Sequence, residues 1–184
     1  MLNRKALAAL VLLFFIPAAA QGGESPPLSQ YLEIQWEQLV PASWHPEKIF
    51  EGLNLDELAD GDPRAVKILE TLITEWNNAP VNPEIQDKLI KLPGFVAPLD
   101  WEDEASLREF LLVPYFGACI HVPPPPANQI VYIKLDKGRD GLESMAAIWV
   151  YGKIFLERHT GGMGTASYAM RVDHIEPYTE PLPQ

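Results

Sequence analysis

The stretch AAIWVYGKIFLE, residues 146–157, decides how the rest of the chain is read. Its isoleucines, valine and aromatics favour an extended strand, yet Gly152 sits in its interior. A glycine there marks a bend, a bulge or the close approach of another backbone, and a barrel corner needs such a place. Working outward, SYAMRVDHIEPY (167–178) alternates Tyr168, Met170 and Val172 with Ala169, Arg171 and Asp173, the pattern of a strand with one face buried. Upstream, LPGFVAPLD (92–100), SLREFLLVP (106–114) and QIVYIKL (129–135) also read as strands, separated by clusters of glycine, proline and aspartate. Five strands at this spacing predict a mainly β domain over residues 81–178, a small OB-like barrel in preference to a sandwich.

The barrel is preceded by a helical segment, giving an α+β chain. Within residues 31–80, Asp62 suits an N-cap and Pro63 the first helical position, while Val66, Leu69, Ile73 and Trp76 recur at helical spacing until NNAP ends the run. This segment is expected to pack on the barrel, with Trp36, Leu39 and Trp44 as its anchors. Residues 21–30 read as a linker and 179–184 as a tail. The opening MLNRKALAALVLLFFIPAAA has a basic start, a short apolar run and a small-residue end, the pattern of an export signal cleaved after Ala20. The expected location is therefore periplasmic, and no later stretch approaches the roughly 20 apolar residues of a membrane-spanning helix. Taking the two leader cations from 14 leaves 12 basic residues against 25 acidic, a net charge of −13. Such a surface argues against nucleic acid as a partner.

Chemistry concentrates in YFGACIHVPPPPANQ, residues 115–129. Cys119 is the single cysteine, so no disulfide forms within the chain. In an extended segment Cys119 and His121 share a face, and thiolate with imidazole are the common zinc donors. The pair supplies two ligands of a site, and His159 and His174, with Asp173 and Glu157 beside them, are the nearest residues of suitable type. The alternative is structural: an unbridged cysteine behaves as a small buried apolar group, and the histidine bonds to backbone. Pro123, Pro124, Pro125 and Pro126 form either a ridge for a protein partner or a stiff wall that fixes the Cys119–His121 geometry. A cysteine–histidine nucleophile is disfavoured, because side chains at i and i+2 of a strand lie about 7 Å apart.

LPGFVAPLD, FLLVPYFGACIHVPPPPANQIVY and WVYGKI together resemble a family of exported Gram-negative proteins catalogued as a domain of unknown function, over roughly residues 31–178. The resemblance carries over to Cys119, His121, Pro123 to Pro126, Asn128 and Gln129. It implies a periplasmic protein with no assigned enzyme activity, often encoded near ABC-transporter components and in some cases in zinc-responsive clusters.

Two functions from different classes follow. One is a metal-handling accessory that binds a single zinc ion and cooperates with an ABC-transporter component or a periplasmic metal-binding partner. The other is a non-enzymatic envelope adaptor, in which the barrel and the proline loop, with Asn128 and Gln129, bind a protein and Cys119 is structural. Other features carry less. TGGMG (160–164) lacks the lysine of a phosphate loop and is expected to be a hairpin. DWEDEASLREF lacks the ligand spacing of a calcium loop and is expected to be a solvated acidic turn. Trp101, like Trp36 and Trp44, is expected to anchor in the core.

Overall fold

A computed structural model of the chain describes residues 25–46, 48, 62–118 and 124–179. Residues 1–24, 47, 49–61, 119–123 and 180–184 lie outside that set. The elements are β1 (Leu32–Glu33), α1 (Pro63–Asn77), β2 (Leu89–Trp101), β3 (Ser106–Val113), β4 (Val131–Asp140), β5 (Ala147–Phe155), β6 (His159–Gly161), β7 (Gly164–Ala166) and β8 (Tyr168–Pro177). Strands β2, β3, β4, β8 and β5 pair in that order, and β5 returns to pair with β2, so five strands close a barrel. The fifth barrel strand lies parallel beside the third, and the other seams are antiparallel. This is the OB-like arrangement the strand spacing predicts, and each of the five expected strands is present.

Gly152 shows why the barrel can close. The β5–β8 register shifts between Tyr151↔His174 and Gly152↔Val172, which leaves Asp173 as the extra residue of a bulge. A Cβ at Gly152 would lie 2.2 Å from the carbonyl oxygen of Arg171 and 2.9 Å from Met170 Cγ. No side chain fits there, so the glycine lets two backbones approach and turn together. The bulge also resets the alternation of β8: Tyr168 and Met170 point inward before it, and Ile175 after it.

Apolar residues are buried on both faces of β2 and β3. Val96, Phe110 and Leu112 belong to the barrel interior with Ile133, Val150, Ile154 and Tyr168. Their neighbours Phe95, Ala97, Leu111 and Val113 form a second cluster outside the wall, covered by Ala118 and Ile130 of the β3–β4 crossover and by Ala166 of the β6–β7 hairpin. The described ends of the crossover are thereby fixed to the outer wall.

The amino-terminal segment enters the same core through Ile34, Trp36 and Leu39. Trp36 Nε1 donates to the carbonyl of Pro93 at 2.8 Å. Buried Tyr168 joins two segments: its hydroxyl donates to Leu39 O at 2.6 Å and accepts from Asn82 N at 2.8 Å. Helix α1 begins where expected, with Asp62 accepting from Arg64 N at 2.8 Å. Its apolar stripe departs in part from the expected packing, because Val66, Leu69 and Ile73 are 41–49% exposed while Trp76 is half-buried. Helical spacing reports the helix and not what its face meets. Trp101 is a second correction: it is 42% exposed, at the end of β2 where two register shifts against β3 turn the strand out of the wall. The acidic turn is exposed as expected, and Asp103 Oδ1 accepts from Ala105 N and Ser106 N, both at 2.9 Å.

Candidate functional site

The crossover from β3 to β4 forms one rim of the barrel. On its first arm Tyr115 and Phe116 are 43% and 69% exposed, and the Phe116 ring meets Phe95 edge to face at 5.9 Å. Gly117 adopts φ +83°, which glycine accommodates without strain, and its N–H points at Met145 Sδ, 3.3 Å away. Ala118 is fully buried. On the second arm Pro125, Ala127 and Asn128 are buried. Ser167 N donates to Ala127 O at 2.7 Å, and Asn128 Nδ2 donates to Pro80 O at 2.9 Å. Residues 119–123 join these arms and include Cys119, His121 and Pro123, which lie outside the described residues.

Pro124 to Pro126 are buried or half-buried, so these three belong to a packed wall and not to a free ridge. Asn128, a candidate partner contact, sits inside the fold, and its carboxamide ties the crossover to the segment before β2. Gln129 is half-buried and closes a 3-10 turn, its N–H donating to Pro126 O at 2.7 Å.

The two histidines proposed as further ligands are far apart. His159 opens the β6–β7 hairpin and stacks flat on Tyr132, with ring centroids 3.8 Å apart. The hairpin rests on the proline wall: a Cβ at Gly164 would lie 3.2 Å from Pro124 Cβ. Gly161 pairs with Gly164, and His159 Nε2 is 3.8 Å from where a Gly161 Cβ would sit. His174 instead belongs to the β8 bulge region, where its Nε2 lies 3.6 Å from Glu176 and its ring meets Tyr151 at 5.4 Å. Tyr132 pairs with Ala169, five residues before His174 on β8, so the two imidazoles are separated by roughly 15 Å of strand. Among the described residues, no group of three or more His, Cys, Asp or Glu side chains is arranged to hold a metal ion. The described barrel therefore does not by itself supply a complete donor set.

A polar cluster beside His159 was not singled out in the sequence. The Tyr132 hydroxyl donates to Glu109 Oε2 at 2.8 Å, and Lys134 Nζ pairs with Glu109 Oε1. Lys134, and then Tyr132, hold the Glu109 carboxyl below its ordinary range. Burial, and then Glu109, push the Tyr132 hydroxyl up to about 12. The signal was present in QIVYIKL, since Tyr132 and Lys134 share a strand face at i and i+2. Their partner on β3 is a tertiary fact.

These features define a small closed β barrel with a helical amino-terminal segment and an anchored crossover at one rim. The family described as a protein of unknown function, DUF3299, matches residues 36–177, and the chain belongs to that family. A DUF3299 family protein from Pseudomonas aeruginosa PAO1, known from a crystal structure, is 35% identical with a TM-score of 0.64, over 82% of this chain and 98% of that one. No curated protein matches the chain.

Proposed function

We propose that the protein works by binding and not by catalysis, as an accessory of a periplasmic transporter system, and that the ligand at its crossover rim is a transition-metal ion. Zinc suits the donors Cys119 and His121. The observation that carries the reading is the frame around them: both arms of the crossover are packed onto the wall, and the hairpin bearing His159 rests on Pro124. The described residues on either side of 119–123 are held to the wall, and the hairpin that rests on Pro124 carries a third candidate donor, His159. His174 lies elsewhere. Because thiol and imidazole must lose protons to bind, affinity falls as pH falls.

Calorimetric zinc titration under reducing conditions tests this. The expected result is sub-micromolar, near-stoichiometric uptake, abolished by Cys119→Ser and by His121→Ala, weakened by His159→Ala and unchanged by His174→Ala. Absence of uptake by the unaltered protein, or equal uptake by all five, overturns it.

A protein partner is the second reading, favoured by exposed Tyr115 and Phe116 on the same rim. Photocrosslinking from position 116 in cells is then expected to trap one discrete envelope protein. Crosslinking no stronger than from exposed Leu28 removes this reading.

A further inference from the structure

The β4–β8 seam is the shortest in the barrel. It pairs at Val131↔Tyr168, Tyr132↔Ala169 and Ile133↔Met170, and then the strands part. Beyond that point β4 leaves its other neighbour too. Its register against β3 runs from Glu109↔Lys134 directly to Leu107↔Arg139, so Leu135–Gly138 arch away while β3 advances by two residues. The arch is pinned by the Gly138 N–H, which donates to the Glu102 carboxylate. The result is a cleft of about 220 Å³ between the arch and the second half of β8.

The charge lining this cleft opposes that of the molecule. Lys134, Lys137, Arg139 and Arg171 face it, with His174, against the two acids Asp136 and Asp173. The chain as a whole carries −11, with 14 Lys and Arg in total. Some of these groups are already engaged: Lys134 pairs with Glu109, the Arg139 guanidinium donates across the cleft to Ile175 O at 3.0 Å, and Asp173 accepts from the Tyr31 hydroxyl at 2.9 Å. No described ion pair engages Lys137 or Arg171. Lys134 and Arg171 also line a neighbouring hollow of about 240 Å³ with Tyr132 and Glu157. Two cations with no acidic partner among the described residues, on opposite walls of an opening in a closed sheet, lie where an anion can be held from both sides.

We propose that the cleft between β4 and β8 binds a small polyanion carrying two or more carboxylate or phosphate groups, clamped between Lys137 and Arg171. Arg139 fixes the width of the cleft through Ile175 and serves as a positioning residue. This site is separate from the crossover rim, which precedes β4, and does not depend on the metal reading.

The test titrates metal-free protein with citrate and, separately, with pyrophosphate by calorimetry. The expected result is a Kd below about 1 mM for at least one of them, weakened tenfold or more by combined Lys137→Gln and Arg171→Gln, and weakened by added salt. The tighter probe tells a carboxylate from a phosphate ligand. Both altered side chains are exposed, so an unchanged melting temperature is expected. Amide shift mapping supplies the second measurement, with perturbations confined to residues 134–139 and 171–175. Weaker binding of both anions, an unaltered affinity in the double variant, or shifts mapped elsewhere overturns the proposal. The Cys119→Ser, His121→Ala protein retains anion binding, which keeps this result distinct from the zinc titration.

Discussion

Replacing Gly152 by alanine tests the barrel closure with one methyl group. The new Cβ would sit 2.2 Å from Arg171 O and 3.0 Å from Arg171 C, while ordinary contact begins at 3.4 Å, so the β5–β8 seam must open by about 1.2 Å. Both obstacles are backbone on a paired strand, and neither can swing aside as a side-chain tip would. Overpacking of this kind costs about 1–3 kcal/mol. Opening the seam weakens one or two neighbouring ladder bonds at about 1 kcal/mol each, which brings the total to about 2–5 kcal/mol. For a domain of this size each kcal/mol lowers the melting temperature by about 2–4 °C, so a fall of roughly 4–20 °C is expected. Two other glycines isolate the steric cause. Gly162→Ala meets nothing within 4 Å and is expected to leave stability near that of the unaltered protein. Gly141→Ala is equally unobstructed but sits at φ +76°, and is expected to cost about 1 kcal/mol from backbone conformation alone. Thermal and urea unfolding of the three variants is the assay. If Gly152→Ala loses less than about 1 kcal/mol, the close β5–β8 approach is not what shapes the barrel corner.

Other outcomes follow from the same structure. Tyr168→Phe strands the Leu39 carbonyl and the Asn82 N–H, and urea unfolding is expected to show a loss of about 1–3 kcal/mol. Burial first, and carboxylate neighbours for Tyr31 and Tyr132, raise the hydroxyls of Tyr31, Tyr132 and Tyr168 from 10.0 to about 12. Their contribution to stability is complete below pH 10 and is lost as pH rises towards 12, so unfolding in that window is expected to be steep, and less steep in Tyr168→Phe. In acid the sign reverses. Glu109, lowered mainly by Lys134, and Asp103, lowered by the N–H groups of Ala105 and Ser106, favour the folded state above the ordinary carboxylate range. That contribution is lost as pH falls through their depressed values, and Glu109→Gln is expected to flatten the acid limb of a melting-temperature profile.

Legibility differed sharply between the fold and the site. Strand positions were readable because apolar runs broken by Gly, Pro and Asp are local signals. Gly152 was readable as a special position, since nothing else explains a glycine inside AIWVYGKIF. The Asp62–Pro63 start of α1 was readable for the same reason: a cap is made by neighbours in sequence. The site was less so. Asn128 stood beside the proline run as a candidate partner contact, but its carboxamide turns inward to a carbonyl 48 residues away. Nothing local announces that bond. His159 and His174 were equal candidates by type. Only the hairpin packing and the β8 bulge place one at the crossover rim and the other roughly 15 Å along the strand.

The sequence by itself determined the number of barrel strands, the helix start and the motif Cys119-x-His121, because propensity, capping and spacing act over a few residues. Tertiary structure alone decided which strands close on which, that the crossover covers the outer face of β2 and β3, and that β4 and β8 part to leave a cationic cleft in an acidic protein. Those facts depend on register between strands and on where a bulge falls. An alternating pattern says which face a residue takes, and it leaves open which residue of another strand it will meet.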